Sequence, residues 1–522
     1  MFRKNLKEKG DSNPDNASRL DGAKIEPNPY EKNGDGIEAA HEMAPQTAAR
    51  ECGARTEEFL DKICSHIKYA AVRRDIRSEI KGHILELKQE YEEQGANPDE
   101  AEEKAVLAMG DGGEIGRRLN KMHRPRMDWM LFAVVTVLSC VGIVNMFFLN
   151  RHGYNVSFIK YVFCAAAGFA VMLGLSMFSY ERLKKITYPL YAFSLTALFA
   201  TALFGTKFNG ASMYVSIGGL AISPDYVIVF LAVAFAGFFM KYRGGGIAGE
   251  LKLTALLVLA LIPVMIMPCA RIAAVLAAAF WIVLIASASM GHFGENRRRH
   301  IGVALTIAIA VSIAAAFYIC LNPRLLERIY AFVSRGQSDL AGAGYIEETI
   351  GFWLSGAEWI GRSEVLYNGY GIEQSLPSAV SDYALVNLVV SFGWIAGAMF
   401  TALAAALIVR GFVSAAKIKN RYGFLLSTFA CSALAVQFII GIFVNFGLVP
   451  QTSVSIPFIS YGGTGYIVNM ALTGLILSVW RRNRIVSEAE DEQNSHMRDV
   501  GIVYLQDGKV IFDISRLIGK KK

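Results

Sequence analysis

Ten long apolar runs after residue 128 restrict this chain to the fold class of helical membrane proteins. A bilayer core is crossed by roughly 20 helical residues, and backbone polar groups inside lipid must be bonded within a helix or a closed barrel. The sequence therefore predicts an all-α, polytopic membrane protein of about ten transmembrane helices, with a small cytoplasmic helical bundle in front. The runs lie near 129–149, 158–178, 186–205, 224–240, 252–268, 270–290, 301–321, 383–409, 424–446 and 464–480.

Composition excludes several other classes of protein. Only 19% of the 522 residues are charged, whereas ordinary soluble domains have about a quarter, and about half of these charges precede Asp128. A freely soluble enzyme is therefore excluded. The seven cysteines show no CxxC spacing and the eight histidines are dispersed, so neither a disulfide framework nor a His/Cys metal site follows.

The polar segments divide the chain into further parts. Residues 1–54 are too polar to bury a core and are predicted to form a disordered cytoplasmic tail. Residues 55–124 carry helical apolar stripes and resemble the short helical prefix domain of some bacterial permeases, with an MGD turn at Met109-Gly110-Asp111. The membrane domain is assigned to 128–484, and the cytoplasmic tail 485–522 carries a hairpin pattern around Asp507-Gly508.

Basic clusters predict the orientation of the helices. They flank alternate connectors, around Arg182, Lys241, Arg297, Arg421 and Arg481, and such clusters favour the cytoplasmic side. Both termini are then cytoplasmic, and the long connector 322–382 forms a large extracellular loop. Its aromatic and charged content predicts a functional surface that faces outward.

The most specific motif precedes the last apolar run and extends from Asn445 to Thr464. It reads NFGLVPQTSVSIPFISYGGT, and such helix breakers at membrane depth either form a buried packing turn or line a wet cavity. The string resembles the signature of the SEDS family (FtsW, RodA and SpoVE), N-x-G-x-x-P-x-x-G-x-x-x-P-F-x-S-Y-G-G-S/T, with Ser453 in place of the middle glycine. The resemblance implies that the following residues bind substrate: Asn445, Ser460, Tyr461, Gly462 and Gly463.

A second string supports the same resemblance. Residues 376–384 read LPSAVSDYA and resemble the family's L-P-E-x-x-T-D-F-I, which implies that Asp382 is the catalytic residue. A carboxylate at the membrane boundary can accept a proton from a sugar hydroxyl or help to hold a divalent cation against a diphosphate. The alternative is that Asp382 or Ser381 caps the helix that begins at Tyr383.

Two arginines of the long loop are further substrate-binding candidates. Arg328 and Arg362 stand where the family carries an Arg in R-x-x-x-F and a G-K-G-like turn, and guanidinium groups suit diphosphate oxygens. The alternative is that each is a solvated loop arginine.

Several positions depart from the family pattern. Met213 replaces the Arg of N-G-A-x-R-W, Tyr226 and Val229 replace the Glu and Lys of Q-P-S-E-x-x-K, and Cys269 replaces the Asp of P-D-x-G. We therefore expect a charged pair to be missing near the outer end of the fourth span. Three of these departures, Tyr226, Val229 and Cys269, motivate the alternative that the chain is a degenerate, scaffolding member of the family.

The resemblance implies a peptidoglycan glycosyltransferase of the bacterial plasma membrane. It would polymerise lipid II, expelling an undecaprenyl-linked leaving group, during cell elongation, division or sporulation. Its protein partner would be a class B penicillin-binding protein, and both proteins would be surrounded by membrane lipid. Alternatives are the scaffold and a flippase or transporter of lipid-linked precursors. Nucleotide motifs are absent, a nucleic-acid partner is not expected, and a divalent cation (Mg²⁺ or Mn²⁺) stays open as a cofactor.

Orientation can be tested by cysteine-accessibility labelling in whole cells. A membrane-impermeant reagent should reach engineered thiols between Asn322 and Ser378, because that segment is expected outside. Thiols near Arg297 or Arg421 should stay unlabelled until the membrane is opened. The opposite pattern would reverse the orientation.

Overall fold

The structure is a computed structural model. It describes residues 53–68, 70–122, 127–208, 211–217, 220–267, 269–333, 344–450, 452–483, 503–506 and 509–512. The predicted disordered tail before residue 53 lies outside these ranges.

Four helices precede the membrane body. Apolar faces of these helices enclose a small core around Leu60, Ile63 and Ile84. The buried Glu102 carboxylate joins two of the helices, because its Oε1 accepts hydrogen bonds from the backbone N–H and the hydroxyl of Thr56 at 2.9 and 2.7 Å. The helices are α1 (Ala54–Ser65), α2 (Ala70–Glu93), α3 (Pro98–Met109) and α4 (Gly112–Met122).

The membrane body follows and is helical, as predicted. Within the described ranges, ten helical segments are long and apolar enough to cross a membrane. Its helices are α5 (Trp129–Arg151), α6 (Phe158–Met177), α7 (Glu181–Lys184), α8 (Thr187–Phe204), α9 (Val227–Lys241), α10 (Gly246–Ile266), α11 (Ala270–Ser289), α12 (Arg297–Leu321), α13 (Pro323–Val333), α14 (Tyr345–Ser355), α15 (Ile372–Ser375), α16 (Ala384–Phe392), α17 (Trp394–Ala416), α18 (Arg421–Asn445) and α19 (Gly463–Arg482). The prediction of an all-α polytopic protein is confirmed.

The spans differ in how deeply they are packed. Helices α9, α18 and α19 are buried among the others, whereas α12 is almost wholly exposed at the edge of the bundle. Alternation of ten spans places residues 344–383 and the connector between α18 and α19 on one side, which we call the loop side. Hydrogen bonds between these two connectors confirm that they meet, since the backbone N–H of Tyr461 donates to the carbonyl of Val380 at 2.8 Å.

The predicted span 383–409 is corrected by the structure, because it is two helices. Gly393 breaks the run between α16 and α17 with a φ of +94°, a conformation that side chains rarely adopt. The first N–H groups of α17 then bond the loop: Trp394 donates to the carbonyl of Glu358 at 3.0 Å and Ile395 to that of Trp359 at 3.2 Å. The apolar sequence runs through the break, so hydropathy alone could not show it.

Short strands were not predicted in the membrane body. Between α8 and α9 an antiparallel sheet is formed by β1 (Thr206–Phe208), β2 (Ala211–Ile217) and β3 (Leu220–Ile222). Met213, one of the departures from the family pattern, lies in β2, and its side chain is outside the described part of the structure. Near the C-terminus, β4 (Val503–Gln506) pairs with β5 (Lys509–Phe512), with Gln506 opposite Lys509.

Replacing Gly393 with alanine should destabilise the protein. A Cβ there would lie 2.5 Å from the carbonyl oxygen of Trp359, in addition to the strained φ. We expect a loss of about 1–3 kcal/mol in the free energy of unfolding, the usual cost of such backbone strain.

Thermal unfolding of the purified protein in detergent measures this loss. Gly174→Ala in α6 is the matched control, because a Cβ at Gly174 meets no atom within 4 Å. Equal unfolding midpoints for the two variants would contradict the role of Gly393.

Candidate active site

The connector between α18 and α19, residues 446–462, is the signature loop of the sequence analysis. The loop packs against α5 and α6. The hydroxyl of Tyr161 donates to the carbonyl of Phe458 at 2.6 Å, and a Cβ at Gly142 would lie only 2.0 Å from the same oxygen. The hydroxyl of Tyr461 accepts from the N–H of Ser157 at 3.2 Å. The loop therefore has fixed neighbours on several sides.

Backbone strain explains part of the signature. Ser453 stands at the family's middle glycine and has a φ of +53°, a region that favours glycine. Its carbonyl oxygen accepts a hydrogen bond from Nη1 of Arg271 at 3.3 Å. Ser453 therefore keeps the backbone conformation that a glycine would take more easily.

Asn445 connects the end of α18 to the start of α16. Its Oδ1 accepts from the N–H groups of Leu385 and Val386 at 3.0 and 3.1 Å, so it caps α16 from another helix. Its Nδ2 donates to the carbonyls of Asp382 and Gly441, both at 2.8 Å. The side chain is fully buried and makes these four hydrogen bonds within the protein.

The hydrogen bonds at the start of α16 bear on the alternative that Asp382 or Ser381 caps this helix. The N-cap residue of α16 is Tyr383, with no side-chain capping bond, and Asn445 takes the place of the expected cap. Ser381 does not cap either, because its hydroxyl points to the carbonyl of Ser378 at 3.4 Å. The described hydrogen bonds leave the Asp382 carboxylate unbonded.

Asp382 is held by its backbone rather than by its side chain. Ser378 has a φ of +61°, and its carbonyl accepts from the N–H groups of Asp382 and Tyr383 at 3.0 and 3.2 Å. The side chain is half-buried on the loop side. Burial raises the pKa of the Asp382 carboxyl above its usual value, and the Arg271 guanidinium opposes the rise.

An ion pair lies next to the signature loop, although the Glu and Lys of the family's Q-P-S-E-x-x-K motif are replaced in this chain. Asp225, just before α9, and Arg271, at the start of α11, lie 3.0 Å apart between Oδ1 and Nη2. The hydroxyl of Ser223 donates to Oδ2 of Asp225 at 2.6 Å. Tyr226 and Val229, which occupy the family's Glu and Lys positions, pack against the apolar core. The acid of the ion pair, Asp225, therefore precedes the family's Glu position by one residue, and the cation comes from another helix.

The other candidates are spread around this centre. Ser460 is buried, Gly462 is exposed, and Gly463 begins α19 so close to Cys164 that a Cβ would lie 2.7 Å from its Sγ. Tyr461 is bonded to Val380, two residues from Asp382. The structure therefore brings the end of the signature together with Asp382.

The two loop arginines are less directly placed. Arg362 is exposed. Burial raises the pKa of the Tyr154 hydroxyl to about 12, and the positive charge of Arg362 opposes this rise. Arg328 lies in α13, and its side chain is outside the described part of the structure. Neither is shown beside Asp382.

Donors for a metal ion are few. The described residues contain no group of three or more His, Cys, Asp or Glu side chains that could hold one. The positive charge of Arg271 acts on the Asp382 carboxyl and lowers its pKa against the effect of burial. The described side chains therefore do not fit a cation site built by the protein alone.

Sequence reasoning did not connect Asp225 with Arg271. The two residues lie at the starts of different helices, and only the fold brings their side chains together.

Comparison with known proteins identifies the family. The family model of FtsW, RodA and SpoVE, described as "Cell cycle protein", matches residues 122–485. The chain belongs to the SEDS family. This SEDS protein is 26% identical over 384 residues to the probable peptidoglycan glycosyltransferase FtsW of Enterococcus hirae, covering 68% of this chain and 93% of that protein.

Two further similarities agree. The probable peptidoglycan glycosyltransferase FtsW of Borreliella burgdorferi is 25% identical over 353 residues, covering 66% of the SEDS chain and 88% of the relative. A solved chain from "Structural coordination of polymerization and crosslinking by a peptidoglycan synthase complex" has a TM-score of 0.56 at 21% identity, covering 69% of this chain and 99% of that one. The latter shows a shared fold.

Replacing Asn445 with alanine should loosen α16. The N–H groups of Leu385 and Val386 would lose their acceptor inside the protein, and each unsatisfied buried group costs about 1–3 kcal/mol. Hydrogen exchange of the amides in α16 should therefore become faster by at least tenfold.

The control is Asn145→Ala in α5. Asn145 is also fully buried, but its side-chain amide has no hydrogen-bond partner in the described structure. Similar exchange rates in α16 for both variants would contradict the capping role.

Proposed function

We propose that this chain polymerises lipid II into peptidoglycan glycan strands in the bacterial plasma membrane. The loop side faces outward and both termini are cytoplasmic, as the basic connectors indicate. Support comes from family membership and from relatives named peptidoglycan glycosyltransferases. The solved chain of similar fold comes from a peptidoglycan synthase complex, which supports a class B penicillin-binding protein as partner.

One observation carries the proposal, namely that the Asp382 carboxylate is not used for capping. It stands half-buried at the start of α16, on a turn fixed by Asn445 and Ser378. A carboxylate with a raised pKa in a fixed position suits general base catalysis, because a base works best when its pKa approaches the working pH.

The proposed step is a single displacement with one proton transfer. A GlcNAc hydroxyl of one lipid-linked disaccharide loses its proton to Asp382 as its oxygen attacks the anomeric carbon of the growing strand. The new glycosidic C–O bond forms while the bond from that carbon to the diphosphate oxygen breaks. Undecaprenyl diphosphate leaves with both electrons of the broken bond.

Other residues are proposed to bind substrate around this centre. Arg328 and Arg362 would bind the negatively charged diphosphate, because guanidinium groups suit its oxygens. Ser460, Tyr461, Gly462 and Gly463 would bind substrate beside Asp382, since Tyr461 is bonded to the same turn. Asn445 is assigned a positioning role instead.

The scaffold alternative rested on Tyr226, Val229 and Cys269, which replace charged residues of the family motifs. The ion pair of Asp225 and Arg271 supports the enzyme instead, because it supplies charge beside the signature loop. The transporter alternative would be supported by ionisable residues near the membrane midplane. The buried pair of Glu250 and His300 lies within the first two turns of α10 and α12.

Asp382→Asn tests the proposed base. The amide keeps the size of the side chain but cannot accept the proton, so polymerisation of labelled lipid II should fall by on the order of 10²-fold or more. The assay uses purified protein with its cognate transpeptidase. Glu364→Gln is the control, because it neutralises an exposed acid of the same loop. Full activity of the Asn variant would refute the assignment.

The pH profile gives a second test of the same residue. Because burial raises the pKa of Asp382, the ionised base is lost as the pH falls through that raised value. The rate of polymerisation by the wild-type protein should therefore decline at a pH above the usual range of aspartate, about 3.9. A rate that stays constant down to pH 4 would show that Asp382 does not act as the base.

A further inference from the structure

The backbone of segment 358–363 is fixed along the break between α16 and α17. Its first two carbonyls accept hydrogen bonds from the first N–H groups of α17. The N–H of Gly361 donates to the carbonyl of Phe392, the last residue of α16, at 3.2 Å, and the N–H of Ser363 donates to that of Val390 at 2.9 Å. The segment is therefore bonded to both helices and has little freedom to move away from them.

Two large apolar side chains of this fixed segment are not packed in protein. Trp359 and Ile360 are each 76% exposed, although the backbone that carries them is held by hydrogen bonds. Trp353 of the same loop, by contrast, is buried in the apolar cluster of the loop. Adjacent exposed apolar side chains on a fixed backbone indicate a contact surface.

This exposed pair continues the lipid-facing side of α17. The N–H of Ile395 donates to the carbonyl of Trp359 at 3.2 Å, and the Ile395 side chain is itself exposed. Met399 follows one turn later on the same side of the helix and is also exposed. Helix α17 is long and apolar enough to span the membrane, and little of it is buried. Its exposed apolar side chains are therefore expected to contact lipid.

Helix α5 gives the depth of the break in the bilayer. Asp128 caps the start of α5, and Phe148 lies about 30 Å farther along at 1.5 Å per residue, which equals the thickness of a hydrocarbon core. The ring centroid of Phe148 is 4.7 Å from that of Phe392. The exposed, charged Arg151 follows within one turn and ends the helix. The break therefore lies where hydrocarbon meets headgroups on the loop side.

The neighbours of the exposed pair suit this boundary. Glu358 precedes it and Arg362 follows it closely, and both side chains are exposed, so their charges can reach headgroups or water. Tryptophan is enriched at this depth in membrane proteins, because its ring is apolar and its indole N–H can donate to a polar group.

We propose that Trp359 and Ile360 form an interfacial anchor, which inserts between the phospholipid headgroups and the upper acyl chains of the leaflet on the loop side. Bilayer lipid, and not another protein, covers the exposed pair. Because the segment is bonded to α16 and α17, the anchor holds the break between them at the membrane boundary. The anchor serves the protein whether or not Asp382 acts as a base.

A fluorophore at the anchor reports whether lipid surrounds it. Ile360→Cys is made in a background whose seven native cysteines are replaced by alanine, and is labelled with an environment-sensitive nitrobenzoxadiazole group. The protein is placed in phosphatidylcholine nanodiscs, which leave both membrane faces open to added iodide. We expect blue-shifted emission and weak quenching by iodide. Lipid spin-labelled near the headgroup end of its acyl chain should quench more strongly than lipid labelled near the chain end.

Two other positions calibrate these signals. Asn368→Cys lies at an exposed polar turn of the same loop, and iodide should quench it at least about threefold more strongly than Ile360→Cys, since iodide stays in water. Met399→Cys, on the exposed side of α17, should be quenched by spin-labelled lipid.

Two results would overturn the anchor. Equal quenching by iodide in the Ile360→Cys and Asn368→Cys variants would place the segment in water. Protection of Ile360→Cys from iodide without quenching by spin-labelled lipid would show that protein, such as a second copy of this chain, covers the pair.

Tryptophan fluorescence tests the same contact with the native cysteines in place. The contribution of Trp359 is the difference between the wild-type protein and Trp359→Phe. It should fall by about half or more when the nanodisc lipid is brominated near the headgroup end of its acyl chains. Trp353→Phe is the matched control, because Trp353 is buried and donates to the Ser375 hydroxyl at 3.0 Å. Bromine should leave the Trp353 contribution unchanged, and an equally unchanged Trp359 contribution would refute the anchor.

Discussion

The arrangement of the site depends on one buried amide. Asn445 binds the first N–H groups of α16, the carbonyl of Asp382 and its own helix, so its four hydrogen bonds fix two helices and a turn at once. Inside a membrane protein those N–H groups could not be left to water. Because the amide caps α16, the adjacent carboxylate is available for chemistry.

Sequence could predict the spans but not how their ends meet. Nine of the ten apolar runs predicted a spanning helix to within about six residues at each end, since length and hydropathy are local properties. The break at Gly393 lies inside a continuous apolar run, and its cause is the distant carbonyl of Trp359. The cap by Asn445 crosses 60 residues of sequence, and periodicity carries no signal for such a contact.

The candidate site divides in the same way. Asp382 and the Ser460–Gly463 end of the signature are candidates because their sequence strings match the family, and the structure brings the two strings together through Tyr461 and Val380. The ion pair of Asp225 and Arg271 could not be predicted, because its members come from different helices and only folding joins them.

The break at Gly393 also bears on bilayer thickness. An unbroken helix from Ala384 to Ala416 would be a rod about 50 Å long, well beyond a hydrocarbon core of about 30 Å. Instead α16 has only nine residues, and α17 alone is the length of a span. The bonds of Asn445 in α18 hold both α16 and the Asp382 turn, and they do not involve α17. We therefore expect a tilt of α17 in a thinner or thicker membrane to leave the depth of the Asp382 carboxylate nearly unchanged.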